Sequence, residues 1–491
     1  MTASDLILVL DEGTTSTRAI VFDRTGDIVA QSARPLTQSF RQPGWVEHDA
    51  AEIWAHSLSC LTDATAAVGL ERIACIGLTN QRETVVFWDR RTGEPLAPAI
   101  VWQDRRSAVL CERLRTDGRE ALVQERTGLV LDPYFSGTKI AWALENWPVV
   151  RAAAGDGTLA VGTIDSYLLF RLTEGRVHAT DATNASRTLL MDLGSCQWDE
   201  RLLGLLGVPR SVLPTITDCV GSLGSTTLLG RMLPITASIG DQQAAAIGQA
   251  CLTPGMVKAT YGTGTFVLAQ AGAARPASKH RLLSTVAWRI DGVASYALEG
   301  SIFTAGAAVQ WLRDGLRIIE ASAETEALAR SVPDSGGVVM VPAFAGMGAP
   351  HWRPDVRGLI TGITSGTSFA HIARATLEAM GHQTADLLAA LAADGVVTER
   401  LRVDGGMVAN DWLCQDLADT LGIPVERPRV IETTALGCAM LAGLGAGLFA
   451  SLEEAAGMAQ LDRVFVPAID AATRATRREN WAHAVRQALV R

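Results

Sequence analysis

The chain is poor in aromatic residues and modest in charge: aromatics make up 5 % of its 491 residues, with four tyrosines, and Asp, Glu, Lys and Arg together make up 19 %. No Lys/Arg run is long enough to form a basic stripe, and 43 basic against 52 acidic side chains leave a net charge of −9. Nucleic acid and anionic membrane surfaces are therefore not expected partners. The eight cysteines are scattered, with no CxxC pair and no matching His spacing. They read as buried thiols of a reducing, cytoplasmic compartment, not as disulfides or a zinc site. No basic residue precedes the first apolar run, which argues against a secretory leader. The longest uncharged apolar stretch, Ala435 to Ala450, falls short of the ~20 residues a bilayer requires. Its Gly and Ala content predicts a buried helix packed through small residues, with no membrane insertion. Neither GxxxxGK[ST] nor GxGxxG occurs, so a bound nucleoside triphosphate must be held by another route.

What the chain does contain is LVLDEGTTSTRAIVFD, from Leu8 to Asp23. An apolar strand runs into a carboxylate, a Gly turn, four hydroxyl residues and an arginine, then a second apolar strand. Gly13 lets backbone N–H groups approach phosphate oxygens closely, and Thr14, Thr15, Ser16 and Thr17 add donors. Asp11 is placed to hold a divalent metal directly or through water, and Arg18 to meet a phosphate. The same composition also suits an ordinary hairpin turn.

At this length at least two domains are expected. Short β-branched strands such as Ile73–Leu78 alternate with helical stretches such as Ser107–Arg115, which predicts an α/β fold. Helical spacing marks 51–68, 305–316, 369–391 and 411–421, the last with Asn410 as N-cap. Two further Gly-rich turns follow apolar strands, one within Met256–Ala269 and one within Leu401–Asp411. The first repeats the strand, Gly/Thr turn, strand design of the N-terminal hairpin and suggests an internal duplication. A boundary near residue 250, giving domains 1–250 and 251–491, places one hairpin in each half with nucleotide between them.

Ten segments then carry a resemblance: DEGTTSTR (11–18), GWVEHD (44–49), TNQRET (79–84), GLVLDPYFSGTK (128–139), TDATNASRT (180–188), GDQQAA (240–245), YGTGTF (261–266), AGAAVQWLRD (305–314), PAFAGMGAPHW (342–352) and VDGGMVAN (403–410). In order and over almost the whole chain, they resemble the FGGY carbohydrate kinases, and their glycerol branch in particular. The resemblance implies two actin-like (ribonuclease H-like) domains with an interdomain cleft. It further implies ATP and Mg²⁺ as cofactors, transfer of a phosphoryl group from Mg-ATP to glycerol giving sn-glycerol 3-phosphate and ADP, and a homodimer or homotetramer.

On this basis Arg82, Glu83, Tyr134, Asp241 and Gln242 are expected to bind glycerol, with Trp102 and Phe266 as apolar walls. A guanidinium beside a carboxylate suits vicinal hydroxyls, each of which both donates and accepts; an ion pair on a loop is the alternative reading of Arg82 and Glu83. Asp241 is expected to be the general base, although it could instead cap its helix. Thr263 is expected at the γ-phosphate, and Gly306, Gln310, Gly406 and Asn410 around ADP, together with the hairpin residues Thr14, Thr15, Ser16 and Arg18. The chain departs from the family's pattern at Glu12, where glutamine is common, at Asp104 in place of a common cysteine, and at His351 in place of tyrosine. If Glu12 faces phosphate it weakens nucleotide binding; if it points away it has no such effect. Segment 221–232 holds one cation, Arg231, and lacks the Gly-plus-Lys loop with which some bacterial members bind fructose 1,6-bisphosphate. Two competing readings share these ATP motifs: a kinase for another polyol or a pentulose, and a non-catalytic ATP-binding sensor.

Overall fold

The structure, a computed structural model, describes residues 4–353 and 355–490. Its first sheet is built on β1 (Leu6–Glu12), β2 (Ser16–Phe22), β3 (Ile28–Pro35), β4 (Ile73–Asn80), β5 (Val220–Thr226) and β6 (Leu233–Gly240), in the spatial order β5-β6-β4-β1-β2-β3. Every residue of β1 is buried, because both faces of the sheet are covered. Leu8 and Leu10 point to one side, where Ile53 and Leu61 of α1 (Ala50–Val68) pack. Ile7 and Val9 point to the other, as the two-residue period of a strand requires.

The second sheet consists of β7 (Val257–Tyr261), β8 (Thr265–Gly272), β9 (Leu283–Ile290), β10 (Val293–Ile302), β11 (Leu401–Asp404), β12 (Val425–Pro428) and β13 (Leu461–Phe465), ordered β9-β10-β8-β7-β11-β12-β13. Within it, β10-β8-β7-β11-β12 repeats the first sheet's β3-β2-β1-β4-β6. In each case an antiparallel three-stranded meander is followed by two parallel strands. The duplication suggested by the two hairpins is thus a duplication of topology. The chain turns that follow β1, β4 and β6 in one half, and β7 and β11 in the other, carry the chemistry-bearing motifs, as expected at the carboxyl ends of strands in α/β folds.

The expected helices form as α2 (Asp241–Gly248), α3 (Gly306–Asp314), α4 (Phe369–Ala393), α5 (Asp411–Leu421) and α6 (Thr433–Gly445). Asn410 caps α5 through its Oδ1, which accepts from Leu413 N–H at 2.9 Å. Helix α6 is the small-residue helix read from Ala435–Ala450. Although late in the chain, it lies on the first sheet, with Leu436, Ala439 and Met440 against Ile7, Val9 and Ile239. Its backbone touches that of α2: a Cβ on Gly437 would lie 1.9 Å from the Ala244 carbonyl oxygen, and one on Gly248 1.9 Å from that of Thr433. A division at residue 250 therefore separates the two sheets but also cuts α6 off from the sheet it covers. All eight cysteines are buried and free, and among the described residues no helix is long and apolar enough to cross a membrane.

Candidate active site

Arg82 and Glu83 follow the end of β4, and both are buried. Thr84 N–H donates to Arg82 O at 2.8 Å around Glu83, whose φ is 63°, giving a γ-turn of the rare, strained kind. A glutamate held in the left-handed region persists only where its surroundings fix it. Here the Glu83 carbonyl is held by the Ser136 hydroxyl, at 3.1 Å, and by the Lys139 amine, at 3.3 Å, and Lys139 also donates to the Tyr134 carbonyl. Burial pulls the Lys139 pKa down to about 7. One lysine thus links the backbone of two expected substrate ligands.

Asp241 is the first residue of α2, and the cap position belongs to Gly240. The capping role is thus corrected: the Asp241 Oδ1 accepts from Gln242 N–H at 2.7 Å and pairs with Arg82 Nε at 3.0 Å. Its Oδ2 has no partner among the described residues. Burial raises its pKa, with Arg82 and Lys258 opposing. Gln242 accepts from Lys258, which lies on β7 of the other half. Tyr134 stacks edge-on with Trp102, centroids 5.6 Å apart, and Trp102 with Phe266 of β8 at 6.2 Å. The two halves therefore meet at this aromatic wall. Arg82, Glu83, Tyr134, Asp241 and Gln242 are brought together, with Trp102 and Phe266 beside them.

Sequence reasoning missed Arg187 and Glu299 as members of this cluster. Arg187 pairs with Glu83 at 2.6 Å and with Glu299 at 2.8 Å, and Glu299 also takes Arg82 at 2.5 Å. The sequence signal for Glu299 is a lone charge in the apolar strand β10, and that for Arg187 is its place in TDATNASRT. The rest of that motif fixes the start of α2. Gly240 N–H donates to Thr183 Oγ1 at 2.9 Å, Thr183 donates to Asp181 at 2.5 Å, and Asn184 exchanges amide hydrogen bonds with Asn80 at 3.0 Å.

The N-terminal turn closes with Gly13 N–H donating to Ser16 O at 3.0 Å. Thr14 and Ser16 are half-buried and Thr15 is exposed. Asp11 is buried at the end of β1, where one carboxylate oxygen accepts from Arg18. Arg18 also pairs with Glu432 at 2.5 Å, so its guanidinium lies between two carboxylates, with its Nε left without a partner among the described residues. Across the cleft the Thr263 side chain is exposed, and its carbonyl accepts from Ala305 and Ala307 N–H at 2.9 and 3.0 Å. Gly306 is required by packing, since a Cβ there would lie 2.6 Å from Gly262 O. Gln310 is exposed one turn further along α3, and Gly406 is exposed with open space around it. Asn410 turns its Oδ1 to the α5 cap, and its Nδ2 lies 3.4 Å from Thr325 Oγ1.

The departures resolve differently. Glu12 points away from the cradle: its carboxylate is buried and accepts from Thr17 at 2.9 Å and Ser57 at 3.2 Å. The alternative in which it repels nucleotide is thereby corrected, since the side chain faces α1. Asp104 is a structural ion-pair residue, accepting from Val46 N–H at 2.6 Å and pairing with Arg106 at 2.8 Å; that arginine also pairs with Glu47 at 2.8 Å and lies 3.9 Å over Trp45. His351 lies near Asp386 and Gln383, away from the residues above.

No group of three or more His, Cys, Asp or Glu side chains able to hold a metal occurs among the described residues. Asp11, buried with one oxygen on Arg18, is a single carboxylate of the kind that a cation bound mainly by water and substrate phosphates would take.

Two sheets of one topology, with Gly/Thr turns and a polar, aromatic-walled cluster between them, define an actin-like two-domain kinase. Models of the FGGY family of carbohydrate kinases match the chain over residues 6–248 (N-terminal domain) and 257–446 (C-terminal domain). The chain is 55 % identical over 486 residues to a glycerol kinase of Rhodospirillum rubrum, covering 98 % of each chain. It is 55 % identical over 484 residues to one of Alcanivorax borkumensis, covering 98 % of this chain and 97 % of that one. The crystal structure of Plasmodium falciparum glycerol kinase with ADP superposes with a TM-score of 0.94 at 36 % identity, covering 100 % of this chain and 99 % of that one. The chain belongs to the FGGY family of carbohydrate kinases.

Proposed function

We propose that this protein transfers the γ-phosphoryl group of Mg-ATP to a terminal hydroxyl of glycerol, releasing sn-glycerol 3-phosphate and ADP. The observation that carries the reading is the convergence of Arg82, Glu83, Tyr134 and Asp241 beside the Trp102 and Phe266 rings. The Arg82 Nη2, Glu83 Oε2, Tyr134 Oη and Asp241 Oδ2 have no partner among the described residues. Donors and acceptors thus alternate beside an aromatic wall, which suits a small polyol with an apolar carbon chain. The likeness to glycerol kinases over nearly the full length supports the same substrate.

In this reading Arg82 and Glu83 hold the hydroxyls and Gln242 orients them, while Asp241 Oδ2 takes the proton of the attacking hydroxyl. A carboxylate whose pKa is raised by burial is a stronger base than an exposed one. Thr14, Thr15, Ser16, Arg18 and Thr263 meet the phosphates, Gly306, Gln310, Gly406 and Asn410 surround the base and ribose, and Asp11 holds the Mg²⁺. The metal supplies charge compensation for the transferred group. Residues 1–250 form the glycerol-binding unit and 251–491 the nucleotide-binding unit of a cytoplasmic homodimer or homotetramer. A coupled ADP-release assay comparing glycerol with dihydroxyacetone, xylulose, ribulose and water tests the substrate. Glycerol is expected to give the highest kcat/KM; a pentulose turned over faster would place the chain with another branch of the family.

A further inference from the structure

Resting on that reading of the site, we propose that Glu299 is a positioning residue for phosphoryl transfer. Carried on β10 of the second half, it clamps Arg82 and Arg187 of the first half and so fixes how Arg82 shares its guanidinium with Asp241.

The chain of contacts is continuous and buried. Glu83 Oε1 pairs with Arg187 Nε at 2.6 Å, Arg187 Nη2 with Glu299 Oε1 at 2.8 Å, Glu299 Oε2 with Arg82 Nη1 at 2.5 Å, and Arg82 Nε with Asp241 Oδ1 at 3.0 Å. The side chains of Glu299 and Arg187 are 0 % exposed and that of Arg82 is 2 % exposed. Each carboxylate oxygen of Glu299 holds one arginine, so a single side chain of the second half sets both basic partners of the polyol cluster. The groups facing Glu299 and Asp241 from all packed elements are Arg82, Glu83, Tyr134, Arg187 and Lys258. Burial opposes the charge of Glu299, but Arg187 and Arg82 outweigh it and bring its pKa down to about 2. It therefore stays ionised through the working range.

The consequence for Asp241 has a definite sign. A neutral residue at 299 leaves Arg82 to pair more fully with Asp241 and removes a nearby negative charge. Both effects lower the Asp241 pKa and make it a weaker base. Burying two arginines without their shared counter-ion is also destabilising in itself, and the test must separate that from positioning.

The experiment measures steady-state kinetics with glycerol and Mg-ATP across pH, and ADP affinity by calorimetry, for wild type, Glu299→Gln and Glu299→Asp. Glu299→Gln is expected to lower kcat by about tenfold or more and to move the acid limb of kcat/KM to lower pH by about half a unit or more, with ADP affinity unchanged. A merely structural role would lower the yield or Tm and leave the acid limb in place. Glu299→Asp keeps the negative charge beside Asp241, so its acid limb should move less than that of Glu299→Gln. Its shorter chain cannot hold both arginines, so kcat should fall at least threefold. An unmoved acid limb with kcat within threefold in Glu299→Gln overturns the proposal. If that variant does not fold, a wild-type kcat in Glu299→Asp overturns it equally. A wild-type protein that binds ADP but does not turn over glycerol overturns the proposed function instead, and is read from the wild-type arm alone.

Discussion

The Trp102 indole N–H donates to the hydroxyl of Thr14 at 2.9 Å, so the wall of the proposed polyol site is bonded directly to the N-terminal Gly/Thr turn. A second route joins the same two places. Trp102 N–H donates to Thr84 Oγ1 at 3.1 Å, Thr84 donates to Gln81 Oε1 at 2.9 Å, and Gln81 Nε2 donates to Gly13 O at 2.9 Å. The motif TNQRET thus does two jobs: its Arg and Glu belong to the proposed polyol site, while its Gln and second Thr hold the turn.

Trp102→Phe keeps an aromatic wall and removes the indole donor. A hydrogen bond of this kind is worth on the order of 1 kcal/mol. The KM for Mg-ATP should therefore rise about fivefold, whatever happens to that for glycerol. If only the glycerol KM moves, Trp102 is a wall and nothing more.

Glu12→Gln should leave the KM for Mg-ATP unchanged, because the side chain faces Thr17 and Ser57 and not the cleft. Its effect should appear in stability. Burial raises the folded-state pKa of Glu12 well above its usual value, so above about pH 4.5 the unfolded chain binds fewer protons than the folded one and wild-type stability falls as pH rises. Glutamine does not titrate. The Tm advantage of Glu12→Gln over wild type should therefore grow from pH 5 to pH 8; a gap independent of pH would mean that Glu12 is ionised in the fold.

Fructose 1,6-bisphosphate at millimolar concentration should not inhibit. Arg231 is the one cation of segment 221–232, and its guanidinium donates to the Ile73 carbonyl, whereas a bisphosphate needs several charge-assisted donors. Inhibition that Arg231→Ala abolishes would contradict this.

Much of the fold was legible because hydrophobic period and turn chemistry are local. Helix α5 with its Asn410 cap and the small-residue helix α6 follow from spacing and composition alone. That α6 covers the first sheet was not legible, since nothing in Thr433–Gly445 says which of two apolar sheets it meets. Likewise Arg82, Glu83 and Asp241 could be picked out from strand ends and motifs. Glu299, though, becomes part of the site only when β10 is brought against the first half, a contact between residues more than two hundred positions apart in sequence. The direction of Glu12 was also beyond reach, because it depends on the Ser57 hydroxyl of α1 reaching back to the end of β1.

Asp241→Asn isolates the proton-transfer step. The asparagine keeps the size of the side chain and a carbonyl oxygen to face Arg82 and Gln242 N–H, which Asp241 meets at 3.0 and 2.7 Å. It cannot accept a proton at the position of Oδ2. General-base help is worth on the order of 10² to 10⁴ in rate, so kcat should fall by about 10² or more. ADP affinity, which does not depend on that oxygen, should stay within twofold of wild type. The wild-type acid limb of kcat/KM should lie above the ordinary aspartate range, because burial raises the Asp241 pKa against the pull of Arg82 and Lys258, and the residual activity of the variant should lack that limb. A variant that keeps kcat within a few-fold of wild type, with the limb intact, would show that Asp241 only holds the polyol and that the proton leaves by another path.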